Sequence, residues 1–392
     1  MLNRRSLRVK AMQTLFAFGQ CLEANYNIGL AEIDAAFQPD LNSMDAPDHE
    51  LLDANKKQGK RVLEHKVRGA ELNESEAISK EAEAAANNAY KNYLLNHKKD
   101  YDHFARQMVL DAESLVDRFL EVISLMIAWS DYSKVEAGKK AKLSPERLLT
   151  GDFNLSKNAV VNFFRESSKV QVALVKKDIS WENDEDSIKS WFKDVVKKDD
   201  AYDKYRRIAN PSFDDDKNIV DHLIKQLIFK NEMILSMFEA KDIFWVENKA
   251  IVRSLVTRSI RDLDAQSIPK EFRLPDFSNN WEEDKVFFNL VFEATVENDR
   301  EYSEMIAAKT KNWEVDRLAI TDQIILKMAI AELLNFQSIP VKVTINEYIE
   351  LSKNYSTPKS KQFVNGILDV ISDDLKESGK LKKSGRGLLD NK

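Results

Sequence analysis

The first twenty residues carry Arg4, Arg5, Arg8 and Lys10 and no acid. Arg4 and Arg8 stand four apart, which on a helix puts them on one face. Guanidinium groups present a planar donor fork that suits phosphate oxygens and stacks on bases. Gln13 and Phe16 extend the same stretch by about a turn each: an amide can read base edges, and an aromatic ring can stack on an unpaired base. Taken alone, such a cluster reads more readily as the solvated start of an ordinary helix. Arginine near a helix N-terminus opposes the helix dipole, however, and that local cost argues for a further role.

Other chemistry is hard to place. The sequence contains neither Gly-x-Gly-x-x-Gly nor Gly-x-x-x-x-Gly-Lys-Ser/Thr. The five histidines, His49, His65, His97, His103 and His222, show no metal-ligand spacing. Cys21 is the single cysteine, which excludes an intramolecular disulfide and a cysteine-based zinc site. Carboxylates are plentiful, but no catalytic pair separates itself from solvated helix faces. The expectation is a protein without catalytic residues, metal or cofactor.

The elements that must position the basic segment are helical. Charged residues make up 32% of the 392, with only 10 Gly and 8 Pro, a mixture that favours an all-α chain. The net charge is −6, so any nucleic-acid binding must rest on local basic patches. The length allows two or three domains at roughly 150 residues each. No apolar run approaches the ~20 residues needed to span a membrane, no signal peptide is visible, and the cytoplasm is the expected location.

Along the chain, periodicity predicts a first helix from about Ser6 to Phe37, with a break near Asn25–Asn27. Residues 38–69, holding Pro39, Pro47 and Gly59, read as a loop. A polar helix follows over 71–99 and an apolar-striped one over 102–133, then a loop over 134–154. Beyond it Lys177-Asp178-Ile179-Ser180-Trp181 recurs as Lys241-Asp242-Ile243-Phe244-Trp245, and more loosely as Lys309-Thr310-Lys311-Asn312-Trp313. The flanking apolar positions also agree: Val160, Phe164 and Val170 upstream with Ile224, Ile228 and Ile234, then Phe292, Val296 and Tyr302. Downstream, Ile188, Phe192 and Val196 match Val252, Val256 and Ile260, then Ile320, Ile324 and Met328. This predicts repeated helix-loop-helix units, each with its Trp capping the seam between helices. A buried helix is expected over 320–336. Thr344 and Glu347 spell a capping box for the next helix, and Thr357-Pro358 announces a last one over 359–377. The Gly366 of Asn365-Gly366 sits inside an apolar helix, which suggests a close helix–helix contact there. A basic, disordered tail is expected over 379–392.

Two strings near the C-terminus, Ile339-Pro340-Val341-Lys342-Val343-Thr344-Ile345-Asn346-Glu347 and Gln362-Phe363-Val364-Asn365-Gly366-Ile367-Leu368-Asp369, closely resemble the signature of the NusB family of RNA-binding transcription antitermination factors. The segment Arg4-Arg5-Ser6-Leu7-Arg8-Val9-Lys10 through Phe16 resembles that family's opening helix, although Ser6 breaks an arginine run that relatives often have denser. The resemblance spans roughly 1–20 and 281–378 and is like that of long family members from Bacteroidetes-type bacteria. It implies a NusB-like helical bundle built from residues 1–37 and 276–378, interrupted by a helical insertion over 38–275. It also implies a surface for boxA-like single-stranded RNA formed by Arg4, Arg5, Arg8, Lys10, Gln13 and Phe16 with Lys361, Phe363 and Asn365. Phe363 could as readily be core. Lys361 closes a Ser-Thr-Pro-Lys-Ser-Lys loop that is often acidic in relatives. Glu332 is implied as a partner-facing residue. The partners implied are NusE, a small-subunit ribosomal protein, and the transcription elongation complex, acting chiefly on ribosomal RNA operons. The rival readings are a helical protein–protein scaffold with weak or lost RNA binding, and a domain of a ribosomal RNA methyltransferase. The missing Gly-rich loop and the position of Cys21 speak against the latter.

Overall fold

The computed structural model describes residues 1–39, 48–72, 77–265, 272–310 and 319–391. Among these every regular element is helical. In chain order they are α1 (Arg4–Ala36), α2 (His49–Arg68), α3 (Lys80–Glu113), α4 (Leu115–Leu143), α5 (Asn154–Lys157), α6 (Ala159–Glu166), α7 (Ser168–Lys176), α8 (Glu185–Asp194) and α9 (Asp200–Tyr205). There follow α10 (Phe213–His222), α11 (Glu232–Lys241), α12 (Trp245–Arg261), α13 (Trp281–Glu297), α14 (Asp299–Lys309), α15 (Ile320–Asn335), α16 (Val341–Tyr355) and α17 (Ser360–Glu377). No described helix is long and apolar enough to cross a membrane. Contacts divide the chain into two units: residues 1–6 with 110–284, and residues 7–109 with 285–392.

In the first unit α4 is the hub, packed by α5, α6, α7, α8 and α12. Its middle is apolar on more than one face, so Leu120, Val122, Leu125, Met126 and Trp129 are buried together with Leu115, Phe119 and Ile123. The helix runs on to Leu143, through what reads in sequence as loop. Gly151 closes the turn that follows: a Cβ there would lie 2.7 Å from the Ile208 carbonyl and 2.8 Å from that of Arg206.

The repeat takes a richer form than helix-loop-helix. In each of the first two copies the upstream apolar set is divided over two helical segments, and Trp181 or Trp245 then precedes or opens a third helix. The breaks coincide, because Ser167 caps α7 by accepting from Val170 N at 3.3 Å and Asn231 caps α11 by accepting from Met233 N at 3.1 Å, each at the same distance before its tryptophan. Both tryptophans are buried. The turns ahead of them differ: Asp178 is left-handed (φ 51°), whereas Asp242 is extended (φ −141°) and accepts from Phe244 N and Asn248 Nδ2 at 2.9 and 2.8 Å. Trp313 lies outside the described residues. In the third stretch the expected downstream face is shifted, since Ile320 is half exposed and Ile324 only partly buried, while Ile325 and Met328 are fully buried.

In the second unit α1 is unbroken through Asn25, whose amide donates to Asp100 at 2.6 Å. Residues 49–68 form α2 rather than a loop. Asp48 caps it by accepting from Leu51 N, and Gly69 ends it in the left-handed region (φ 70°). Gly59, a breaker on paper, lies mid-helix, where a Cβ would come within 3.0 Å of Ile33 Cγ2; its absence lets α2 press against α1. Leu63, Ile33, Tyr26 and the alanines Ala82, Ala86 and Ala89 of α3 close this core. The other half of the unit wraps α14, α16 and α17 around α15. Ile325, Leu326, Met328, Ala329, Ile330, Ala331 and Leu333 on that helix are all at 0% exposure, as expected for a helix apolar on every side.

Three local expectations change. The N-cap of α16 is Pro340, and Thr344 is buried inside the helix rather than capping it. Gly366 is exposed, with nothing within 4 Å of where a Cβ would sit, so no helix–helix contact explains it. The C-terminal stretch is folded. Ser384 N donates to the Gln337 carbonyl at 3.0 Å, Lys383 Nζ donates to that of Phe336 at 2.9 Å, and Gly387 lies so close to Gln337 that a Cβ would meet its oxygen at 2.0 Å.

Candidate nucleic-acid interface

The start of α1 follows from its residues. Asn3 Oδ1 accepts from Ser6 N at 3.0 Å and so caps the helix. The basic residues then meet different surroundings. Arg4 pairs with Glu283 and lies 3.6 Å from Asp284, two acids in the first turn of α13. Arg5 is exposed. Arg8 and Lys10 are buried, at 3% and 2% exposure.

Arg8 is the centre of a buried polar cluster. Its Nε and Nη2 each donate to one oxygen of Glu332, both at 2.7 Å. Glu332, fully buried on α15, also accepts from Thr344 Oγ1 at 2.8 Å and from Tyr348 OH at 3.2 Å, both on α16. Glu347 stands 3.5 Å from Arg8, and the guanidinium lies over the Phe287 ring at 5.2 Å and the Tyr348 ring at 5.8 Å. Burial alone disfavours the charge on Arg8, but the hydrogen bonds and charge of Glu332 outweigh it and raise its pKa further. Burial, then Glu332, pushes the Tyr348 phenol well above its ordinary value, so it stays a donor.

This corrects two sequence expectations. Arg8 and Lys10 are buried rather than surface cations, and Glu332 is enclosed in the fold rather than exposed on its surface. The shared helical face of Arg4 and Arg8 said nothing about what packs on it. Arg8 and Glu332 hold α1 to α15 and α16, and so position the helix that carries Gln13 and Phe16. Sequence reading missed Thr344 and Tyr348 as members of this cluster. The signal was present, because residues 344 and 348 are four apart and so fall on one face of α16.

The accessible candidates are fewer. Gln13 is partly buried, and Phe16 is 41% exposed, unusual for a large ring. Phe18, two residues on, is buried against Phe104 and Phe292. On α17, Lys361 is exposed and Phe363 and Asn365 are half-buried; Asn365 Nδ2 donates to Asp369 at 3.0 Å. With exposed Gly366 they leave a polar, ring-containing face with open backbone. The described residues contain no cluster able to hold a metal ion.

Comparison with known proteins gives this geometry a context. The family model described as "NusB family" matches residues 249–373, a stretch that includes α15, α16 and most of α17 and leaves out residues 1–20. A transcription antitermination protein NusB from Chloroherpeton thalassium is 45% identical over 106 residues, 27% of this chain and 50% of the relative. The protein of that name from Salinibacter ruber is 45% identical over 103 residues, 26% of this chain and 64% of the relative. The one from Bacillus licheniformis is 36% identical over 123 residues, 31% of this chain, and there the match takes in 95% of the relative. The chain thus spans about half to two thirds of the length of the first two, and nearly all of the third.

Proposed function

This chain belongs to the NusB family, and on that premise we propose that it acts as a transcription antitermination factor that binds single-stranded RNA without doing chemistry on it. The RNA is of boxA type, the co-binding partner is NusE, the small-subunit ribosomal protein, and the pair joins the transcription elongation complex, chiefly on ribosomal RNA operons. The observation that carries the reading is the match of 249–373 to the NusB family model, beside relatives named as antitermination proteins, together with the open face of α17 inside it.

Physically, Phe16 and Phe363 engage unpaired bases, Asn365 supplies hydrogen bonds to base edges, and Arg5 and Lys361 neutralise phosphates. Arg8 serves indirectly, by fixing α1 on α15 and α16. The test is binding of a boxA-like RNA to the full chain, with and without purified NusE, over a salt series. Affinity that rises with NusE and falls with salt supports the proposal; no binding in either condition overturns it.

One observation favours a second reading. With Arg4 paired and Arg8 and Lys10 buried, little of the N-terminal positive charge is presented to solvent. A protein scaffold in which the first unit recruits a partner would tolerate that loss. Recovery of a specific partner by the full chain, with no RNA affinity, would select it.

A further inference from the structure

The first unit contains a hollow of about 340 Å³ whose walls are strongly cationic. Lys139 and Lys140 reach it from α4, Arg147 from the short turn after α4, Lys197 from the turn before α9, and Arg206 from the end of α9. Among the described residues that line it the carboxylates are Glu136 and Asp152, and both are engaged. Lys197 Nζ donates to Glu136 at 2.8 Å. Asp152 takes Lys140 at 2.8 Å, Arg206 at 2.6 Å and Leu149 N at 2.9 Å, and Arg206 also lies 3.9 Å from Asp203. Lys139 is exposed and forms no ion pair with any described residue. Arg147 has only its neighbour Glu146, at 3.9 Å, with its side chain 78% exposed.

Cations near the last turn of α4 complement that helix's dipole, which accounts for Lys140. It does not account for cations arriving from three other elements. Like charges gathered in a concave, low-dielectric wall repel one another and focus a positive field into the hollow. In a chain of net charge −6, that is an arrangement for an anion.

We propose that this hollow is a phosphate-binding site, with Lys139 and Arg147 as the residues that close on the ligand. Its volume falls within the ordinary range for a small-ligand site, roughly 300–1,000 Å³. Guanidinium and ammonium groups together suit phosphate oxygens, and Ser144 in the wall offers a hydroxyl donor. The natural source is a backbone phosphate of bound RNA, which rests on the function proposed above; a free polyphosphate or nucleotide shares the chemistry.

The test uses the full chain and two probes, a single-stranded RNA of about 25 nucleotides and inorganic tripolyphosphate. The Lys139→Gln, Arg147→Gln double variant is compared with wild type and with Lys176→Gln, Lys193→Gln, which removes two exposed charges elsewhere in the same unit. Unchanged thermal melting shows that each variant is folded. The expected result is a several-fold weaker RNA affinity and a salt slope shallower by about 1.4, at about 0.7 per lost phosphate contact on single strands, for the pocket variant alone. Tripolyphosphate binding should fall with it. RNA binding equally reduced by both variants, or unchanged in the pocket variant, overturns the RNA-backbone assignment. Tripolyphosphate binding that depends on Lys139 and Arg147 in a protein with no RNA affinity overturns the RNA function while leaving a free-phosphate site. If wild type binds neither probe, both fail.

Discussion

Arg8 and Glu332 meet through two parallel 2.7 Å hydrogen bonds inside the second unit, one residue near the start of the chain and the other on α15. Both glutamate oxygens also accept from α16 hydroxyls, so no lone pair is wasted in a site where an unpaired charge is costly. Removing one partner should be severe: Arg8→Met or Glu332→Leu alone is expected to lower stability by about 3–5 kcal/mol. The double variant should recover much of this, because the penalty lies in the lone buried charge; what remains lost is the acceptor for Thr344 and Tyr348. Urea unfolding of the three variants checks it. A double variant no better than the worse single one would contradict this account of the pair.

Two glycines should respond in opposite directions. Gly366 is exposed in α17 with open space at its Cβ position, so Gly366→Ala should stabilise the fold by ~0.5–1 kcal/mol. Gly151→Ala should destabilise, since its Cβ would press on two backbone carbonyls and on Asn154, itself bonded to the Tyr205 carbonyl at 3.0 Å. Melting curves of both variants decide. If Gly366→Ala also weakens RNA binding while raising the melting temperature, the glycine keeps that face open for the ligand.

Acid should loosen the first unit through Asp152. Burial pushes its carboxyl up, but Lys140, Leu149 N and Arg206 pull it further down, leaving it below the ordinary value of 3.8. A depressed carboxylate contributes stability that is fully present above the unfolded value, about 3.9, and is lost as pH falls through the lower folded value. The gap in urea stability between wild type and Asp152→Asn should therefore be widest near neutral pH and close towards strong acid. A gap independent of pH would mean that the carboxylate charge is not what holds Lys140 and Arg206.

How far the sequence led differs by element. The apolar stretch 320–336 forecast α15, the Thr357-Pro358 pair forecast the start of α17 to within a residue or so, and the first two Trp motifs forecast buried anchors, because each signal is local. Helix α2 was missed because Gly59 and the prolines ahead of it look like punctuation; only the packed Ile33 shows why a glycine belongs there. The buried Arg8 could not be read either. Helical spacing says which residues share a face but not which face a distant segment will cover, and Glu332 lies more than three hundred positions away.

The N-terminal basic residues should consequently separate under mutation, although in sequence they form one cluster. Arg5 is exposed on the first turn of α1, so Arg5→Ala should lower the melting temperature far less than Arg8→Ala and reduce the salt slope of RNA binding by about 0.7. Phe16→Ala, on the exposed side of the same helix, should weaken binding by ~1–3 kcal/mol if the ring stacks on a base, with a smaller loss of stability than Arg8→Ala because the ring is 41% exposed. Arg8→Ala should do the reverse: it should destabilise the protein, and whatever RNA affinity it loses should follow the fraction unfolded and return at low temperature, where the variant is folded. Titrations of the three variants at two temperatures, each paired with a melting curve, distinguish contact from positioning. An Arg8→Ala protein that is fully folded yet binds RNA as weakly as Phe16→Ala would place Arg8 back at the ligand, and would require the Glu332 cluster to open when RNA arrives.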